Sequence, residues 1–344
     1  MHGKWCLIVS LTFGVILALQ TNNIVRQPVA IALEITSPSA VTAKISEGPR
    51  LPMGRGSHAG GVINGHIMIV GGTSWNQERT KKSFLNDSLV FDDNAWQPGP
   101  SIDAPLAEGA FADDGHALYL AGGLSGPNQP RDLVLRITQN GAGKFAAQKL
   151  PSLPLALSAS GAAIINHRLY LACGTFLSGK STNRVWSLDL KNSSAPWREQ
   201  APLPAIGRAY PAVVACGNFI YLLGGLDDAA KSVHERTLCD VYQYDPASDR
   251  WKSLGNLPFP GYCWSAQPID DTRLLLAGRA DGLIHDEVWL VHLPDLSAQL
   301  LGHTVLQATC APLMKAGPNT WWLVGGEPDS QKNRTNRVSI ITLR

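Results

Sequence analysis

Ile67-Met68-Ile69-Val70-Gly71-Gly72 decides the fold, because the same shape returns five more times along the chain. Its counterparts are Ala117-Leu118-Tyr119-Leu120-Ala121-Gly122-Gly123, Arg168-Leu169-Tyr170-Leu171-Ala172-Cys173-Gly174 and Ile220-Tyr221-Leu222-Leu223-Gly224-Gly225. Leu274-Leu275-Leu276-Ala277-Gly278 and Trp321-Trp322-Leu323-Val324-Gly325-Gly326 complete the set. Each is an apolar run closed by two small residues. The first small residues stand at 71, 122, 173, 224, 277 and 325, separated by 51, 51, 51, 53 and 48 residues. A fixed period of this length marks an array of one supersecondary unit.

Other features keep the same phase. A turn precedes each apolar run: Asn64-Gly65, Asp114-Gly115, Asn166-His167, Gly217-Asn218, Asp270-Asp271 and Gly317-Pro318-Asn319. Before the turn runs another apolar strand, such as Ala212–Cys216, so each unit opens with a hairpin. A third strand follows the small pair, as at Ser88–Phe91, Arg184–Leu188, Asp240–Tyr244 and Glu287–Val291. Trp96, Trp197 and Trp251 each open a fourth strand, and Leu203-Pro204 and Leu257-Pro258 follow the last two.

Four strands, a double glycine and a phased tryptophan at about 50 residues resemble the kelch repeat. The fold expected is all-β, a six-bladed kelch-type β-propeller spanning residues 41–344. The glycine pair has a physical reason there. The second strand must end close to the axis, where neighbouring blades crowd and a Cβ would collide. The sixth unit stops after its third strand, Val338–Thr342, and lacks a fourth. The piece Val41–Ile45 ends six residues before Leu51-Pro52, which puts Ile45 in the tryptophan phase. The expectation is that residues 42–46 supply the outer strand of the last blade, pair with 338–342 and close the ring.

Composition narrows the function classes. Of 344 residues, 44% are hydrophobic and 16% charged, with 33 Gly and 23 Pro, which suits one large turn-rich β domain. A formal charge of +2 without basic runs makes nucleic acid a poor partner. Residues 1–40 stand apart as a leader and linker. Lys4 precedes an uncharged apolar run from Trp5 to Leu19, the length of a secretory segment. Export to a periplasmic or extracellular location is expected, with membrane anchoring as the alternative if the leader is retained. Cys6 falls in that leader. Cys173, Cys216, Cys239, Cys263 and Cys310 remain, none in a metal-ligand spacing, and they read as small buried hydrophobes.

A propeller does not name its function; the loops at the channel mouth do. Glu327 directly follows the sixth small pair, and the corresponding residues elsewhere are Thr73, Leu124, Thr175, Leu226 and Arg279. A glutamate in that ring beside an arginine of the neighbouring blade is a candidate acid or base. Arg55 and Arg208 stand sixteen residues before the first and fourth small pairs, in blades opposite each other. They read either as an anion clamp across the channel or as braces that pair with backbone carbonyls.

The segment Trp322-Leu323-Val324-Gly325-Gly326-Glu327 through Asn333-Arg334-Thr335 resembles the Gly-Glu…Arg-Thr segment of the sialate mutarotases, or N-acetylneuraminate epimerases. These are periplasmic six-bladed kelch propellers that interconvert the anomers of free sialic acid. The resemblance implies that Glu327 and Arg334 are the catalytic pair, with Glu327 as general base and Arg334 as carboxylate ligand. Arg208, Arg55 and Arg279, read from their phase in the repeat, are weaker substrate-binding candidates. One more residue separates Glu327 from Arg334 than in the family pattern, so Arg337 stands as the alternative. Ser160–Asn166 with Trp186–Leu190 resemble the family's first blade, and Arg208, Ile220–Gly225 and Asp240–Pro246 its second. The glutamate-bearing blade, fourth in the family, is sixth here, which implies a circular permutation; a ring with joined ends tolerates one.

The expected reaction is ring opening and closure by general acid–base catalysis on N-acetylneuraminate or a related acidic sugar, an isomerase needing no metal and no cofactor. The rival readings are a non-enzymatic kelch module for a protein or glycan, a sialidase, and a copper radical oxidase. The Ser-x-Asp-x-Gly-x-Thr-Trp boxes of sialidases are absent, and the nine His are scattered.

Overall fold

The computed structural model describes residues 41–192, 194–230 and 232–344; the leader expected before residue 41 lies outside them. Six four-stranded antiparallel sheets follow one another along the chain. Blade 1 is built from Ala59–Ile63, His66–Val70, Ser88–Asp92 and Ala95–Pro98, in that spatial order. Blades 2 to 5 repeat the meander, with first strands Ala110–Asp113, Gly161–Ile165, Ala212–Cys216 and Ser265–Pro268. Blade 6 is made of Leu313–Gly317, Thr320–Val324 and Val338–Leu343, and its outer strand is Ala43–Glu47 from the other end of the chain.

The closing strand pairs Ala43 with Leu343, Ile45 with Ile341 and Glu47 with Ser339, one residue along from the expected limits. Thr42 and Arg344 exchange backbone hydrogen bonds of 3.3 and 3.0 Å, and Gly48 N–H donates to Val338 O at 2.9 Å. Arg337, the alternative partner for Glu327, is spent here: its Nε lies 2.7 Å from Glu47 Oε1 and ties the third strand of blade 6 to the fourth.

Local chemistry explains the blade. Asn64 and Gly65 both have positive φ (50° and 85°), as a two-residue hairpin turn between right-twisted strands requires. Past their first residue the second strands are largely buried, from Met68, Ile69 and Val70 in blade 1 to Leu274, Leu275 and Leu276 in blade 5. Gly71 then takes φ 66°, and a Cβ there would sit 2.1 Å from Leu106 O on the way into the next blade. The tryptophans act as staples between blades. The indoles of Trp96, Trp197 and Trp251 donate to Pro49 O, Pro151 O and Ala201 O at 2.9, 2.8 and 2.9 Å, each just beyond the outer strand of the preceding blade. Leu51, Leu203 and Leu257 fill the seams beneath.

Blade 5 departs from the spacing read off the sequence. Its second strand ends at Ala277, and Gly278 carries the positive φ (80°) that Gly71 and Gly325 carry elsewhere. The small pair is therefore Gly278-Arg279, with arginine at the second position. The residue bridged to the preceding turn, where Thr73 and Glu327 stand in their blades, is Ala280.

Candidate active site

The innermost turns form a closed ring. Ser57, Glu108, Ala159, Tyr210, Cys263 and Cys310, one from each blade, all have φ between 51° and 57°. The N–H of each donates to the carbonyl of its counterpart one blade back: Glu108 to Ser57, Ala159 to Glu108, Tyr210 to Ala159, Cys263 to Tyr210, Cys310 to Cys263 and Ser57 to Cys310, over 2.7–3.2 Å. Six backbone hydrogen bonds thus encircle the axis. Below the ring the first strands enclose a channel cavity of about 450 Å³, walled by small side chains such as Ala110, Ala163 and Ala212. The pKa of Asp113, at the far end of its strand, is pushed up to about 6 by burial.

The ring presents side chains at the mouth. Tyr210 Oη donates to Glu108 Oε2 at 2.5 Å across the gap left by Ala159. Burial, then the neighbouring Glu108 charge, raise the phenol well above its ordinary range, so Tyr210 stays a neutral donor. Ser57 Oγ donates to Glu327 Oε1 at 3.0 Å. Cys263 is held well above the thiol range, first by burial and then by its direct interaction with Cys310. The pKa of His58 is pushed down to about 3 by burial and by Arg55 beside it, so the imidazole stays neutral.

Glu327 and Arg334 meet at this mouth. Arg334 Nη2 lies 3.1 Å from Glu327 Oε1, and their side chains are 2% and 11% exposed, respectively. The loop between them is folded back by its own residues. Asn333 N–H and Nδ2 donate to the two Asp329 oxygens at 3.2 and 2.5 Å, and Thr335 N–H closes on Gly326 O at 3.0 Å. Gly56 makes room for the pair: a Cβ at that position would lie 2.7 Å from Arg334 Cδ and 3.1 Å from Glu327 Cγ.

Two of the three Arg334 nitrogens are hydrogen-bonded within the protein. Its Nε donates to Thr73 Oγ1 at 2.9 Å, and Nη1 to Lys332 O and Asn333 O at 2.6 and 3.1 Å. Nη2 faces Glu327 as an ion pair without a hydrogen bond, so the buried guanidinium sits against that carboxylate and is bonded to the protein through its other two nitrogens.

The other three arginines are braces. Arg55 donates to Gly71 O at 3.0 Å and to Asp87 at 2.7 Å. Arg208 donates to Gly224 O at 3.1 Å and holds both Asp240 oxygens at 2.5 and 3.0 Å. Both are essentially inaccessible, at 1% and 0%. The same partners at the same sequence offsets make this one repeated device, which caps the carbonyl where the second strand ends. Of the two readings of Arg55 and Arg208, these contacts fit the braces. Arg279, displaced from the Glu327 ring by the register of blade 5, pairs with Asp281 and Glu287 at 2.7 and 2.8 Å and lies over the Phe259 ring. Among the described residues no three His, Cys, Asp or Glu converge as a metal-ligand set.

Ser57, Glu108 and Tyr210 were not among the sequence candidates. They stand fourteen residues before the first small residue of their blades, two positions from the column that holds Arg55 and Arg208. Constant offset was the signal available; residue type was not.

Fold and mouth together define a six-bladed kelch-type propeller with a buried carboxylate–guanidinium pair at the channel mouth. Known sequences agree with that class. A family model described as N-acetylneuraminate epimerase matches residues 150–298. The N-acetylneuraminate epimerase of Yersinia enterocolitica is 30% identical over 142 residues, 41% of this chain and 35% of that protein. That of Haemophilus influenzae is 31% identical over 108 residues, 31% of this chain and 27% of its own. A kelch domain-containing protein of Vibrio cholerae is 30% identical over 127 residues, 36% and 34% of the two chains. The resemblance to the N-acetylneuraminate epimerases is borne out over this span, which is about a third of the length of the curated relatives. The family match runs from the approach to blade 3 into blade 5 and stops short of Glu327.

Proposed function

We propose that this protein is a mutarotase that interconverts the α and β anomers of N-acetylneuraminate or a closely related acidic sugar. The observation that carries the reading is Glu327, 8% exposed, oriented by Arg334 and Ser57 at the mouth of the channel. A glutamate on an open rim without an arginine would favour a binding module; a buried, doubly oriented carboxylate favours proton transfer.

Glu327 takes the proton of the anomeric hydroxyl as the bond between anomeric carbon and ring oxygen breaks. It returns that proton to the ring oxygen, leaving the open keto form. The carbonyl turns over, and the same steps in reverse close the ring on its other face. Atoms and charge balance without a co-reactant. Arg334 acts as a positioning residue for Glu327, and the neutral Tyr210 phenol supplies a second polar group at the mouth. The relatives named N-acetylneuraminate epimerase support the substrate class.

The test is NMR of freshly released α-N-acetylneuraminate, followed with and without the protein. The parent should accelerate approach to anomeric equilibrium. Glu327→Gln keeps size and hydrogen bonding, and should lose about 10²–10⁴ in rate with binding largely kept. Equal rates for parent and variant would remove Glu327 from the reaction. A parent without acceleration would leave a non-enzymatic kelch module as the reading.

A further inference from the structure

The connection between second and third strands is paired by a single bridge in blades 2, 3 and 5, and in blade 1 it grows into a sheet of its own. There, Thr73–Trp75 and Lys82–Phe84 form a separate two-stranded hairpin. The hairpin is stitched to the loop that follows Glu327. Thr73 Oγ1 accepts from Arg334 Nε at 2.9 Å, Trp75 Nε1 donates to Lys332 O at 2.8 Å, and Arg79 Nη2 donates to Gln331 O at 2.9 Å. Thr73 and Trp75 share one face of their strand, the face turned to Arg334. Lys82 is the cross-strand partner of Trp75 and Phe84 that of Thr73, so both lie on that face.

Lys82 is half-buried there with its ammonium 5.3 Å above the Phe84 ring. Among the described residues no carboxylate lies within ion-pair distance of it, unlike Arg55, Arg208, Arg279 and Arg334. It lies within electrostatic reach of Glu327, Glu108 and Arg334, the charged groups of the mouth. N-acetylneuraminate carries its carboxylate on the anomeric carbon itself, so whatever holds the carboxylate must stand close to the proton-transfer group. The Arg334 side chain is 2% exposed, and its Nε and Nη1 are already bonded within the protein.

We propose that Lys82 is the ligand for the substrate carboxylate, delivered to the Glu327 side of the mouth by the blade 1 hairpin. This rests on the mutarotase reading and names the residue that makes the site select an acid. Burial, then the Arg334 charge, hold the ammonium below the ordinary lysine range against the opposing pull of Glu108 and Glu327, and a substrate carboxylate would add the direct ion pair that neither glutamate forms with it.

The experiment compares N-acetylneuraminate with its methyl ester, which keeps the sugar and removes the charge. Binding is measured by titration and turnover by NMR, for the parent, Lys82→Met and Lys82→Arg. Lys82→Met should weaken binding of the acid about 10- to 100-fold, the worth of a hydrogen bond to a charged group, and raise KM far more than it lowers kcat. It should leave the ester unchanged, and Lys82→Arg should recover most of the loss. Equal weakening for acid and ester, or undiminished binding of the acid, overturns the assignment and leaves Glu327 untouched. A parent that binds the acid through Lys82 yet does not speed anomerisation sinks the mutarotase reading alone. A parent that does not bind the acid sinks both.

Discussion

Arg55 and Arg208 show why a charge in the right phase is not yet a site. Each caps a carbonyl and neutralises an aspartate at identical offsets, so each is a structural part of its blade. Removing one should therefore cost stability and not affinity. For Arg208→Met we expect about 2–3 kcal/mol of destabilisation, below the usual cost of breaking a buried pair because Asp240 is 25% exposed. Urea unfolding measures that loss. Titration with N-acetylneuraminate should show unchanged affinity, and a weakened one in a folded variant would restore the clamp. The residues of the mouth divide the same way in legibility. Glu327 and Arg334 share a short loop, so the sequence could bring them together. Ser57, Glu108 and Tyr210 come from three blades and share only a backbone conformation, which leaves no common residue type to notice. Arg279 was misplaced by one position because Ala277 imitates the small residue that Gly278 supplies.

At the scale of the element, the blade was readable because its chemistry is local: paired turn residues, continuous apolar strands and a small pair where strands crowd the axis. The 73–84 hairpin was not, since its polar residues look like a loop and its partners lie some 250 positions away, as with Trp75 and Lys332. Two glycines test the crowding argument. Gly65 has φ 85°, and a Cβ added there would meet nothing within 4 Å, whereas Gly71 has φ 66° and its added Cβ would meet Leu106 O at 2.1 Å. Gly65→Ala should cost about 1–2 kcal/mol, the strain of a left-handed alanine alone. Gly71→Ala must also push backbone apart at the seam to blade 2 and should cost roughly 3–5 kcal/mol. Thermal or urea unfolding of both variants decides it; equal losses would mean that conformation, and not the neighbouring blade, demands glycine at 71.

For the whole molecule, two devices resist opening, and they sit at different radii. The inner one is the ring of six backbone hydrogen bonds from Ser57 to Cys310. The outer one is the strand Ala43–Glu47 on Val338–Leu343, with Arg337 on Glu47. A chain that begins at Gly48 keeps the first and loses the second. It exposes the edge of Val338–Leu343 and uncovers Ile341, now fully buried, together with the seam that Val41, Ala43 and Ile45 fill against Leu275 and Leu301. A few apolar side chains and about five ladder hydrogen bonds are at stake, roughly 3–5 kcal/mol net. In a domain of this size that lowers Tm by about 5–15 °C. The inner ring predicts that the shortened protein still folds and melts in one transition, because every blade remains bonded to both neighbours at the axis. Loss of the folded state would mean that the ring is closed from outside alone. An unchanged Tm would mean that the pairing of 43–47 contributes nothing. The freed strand is a template for another chain, so the shortened protein should also associate as concentration rises, and a peptide of residues 41–48 added in excess should suppress that association and raise Tm again.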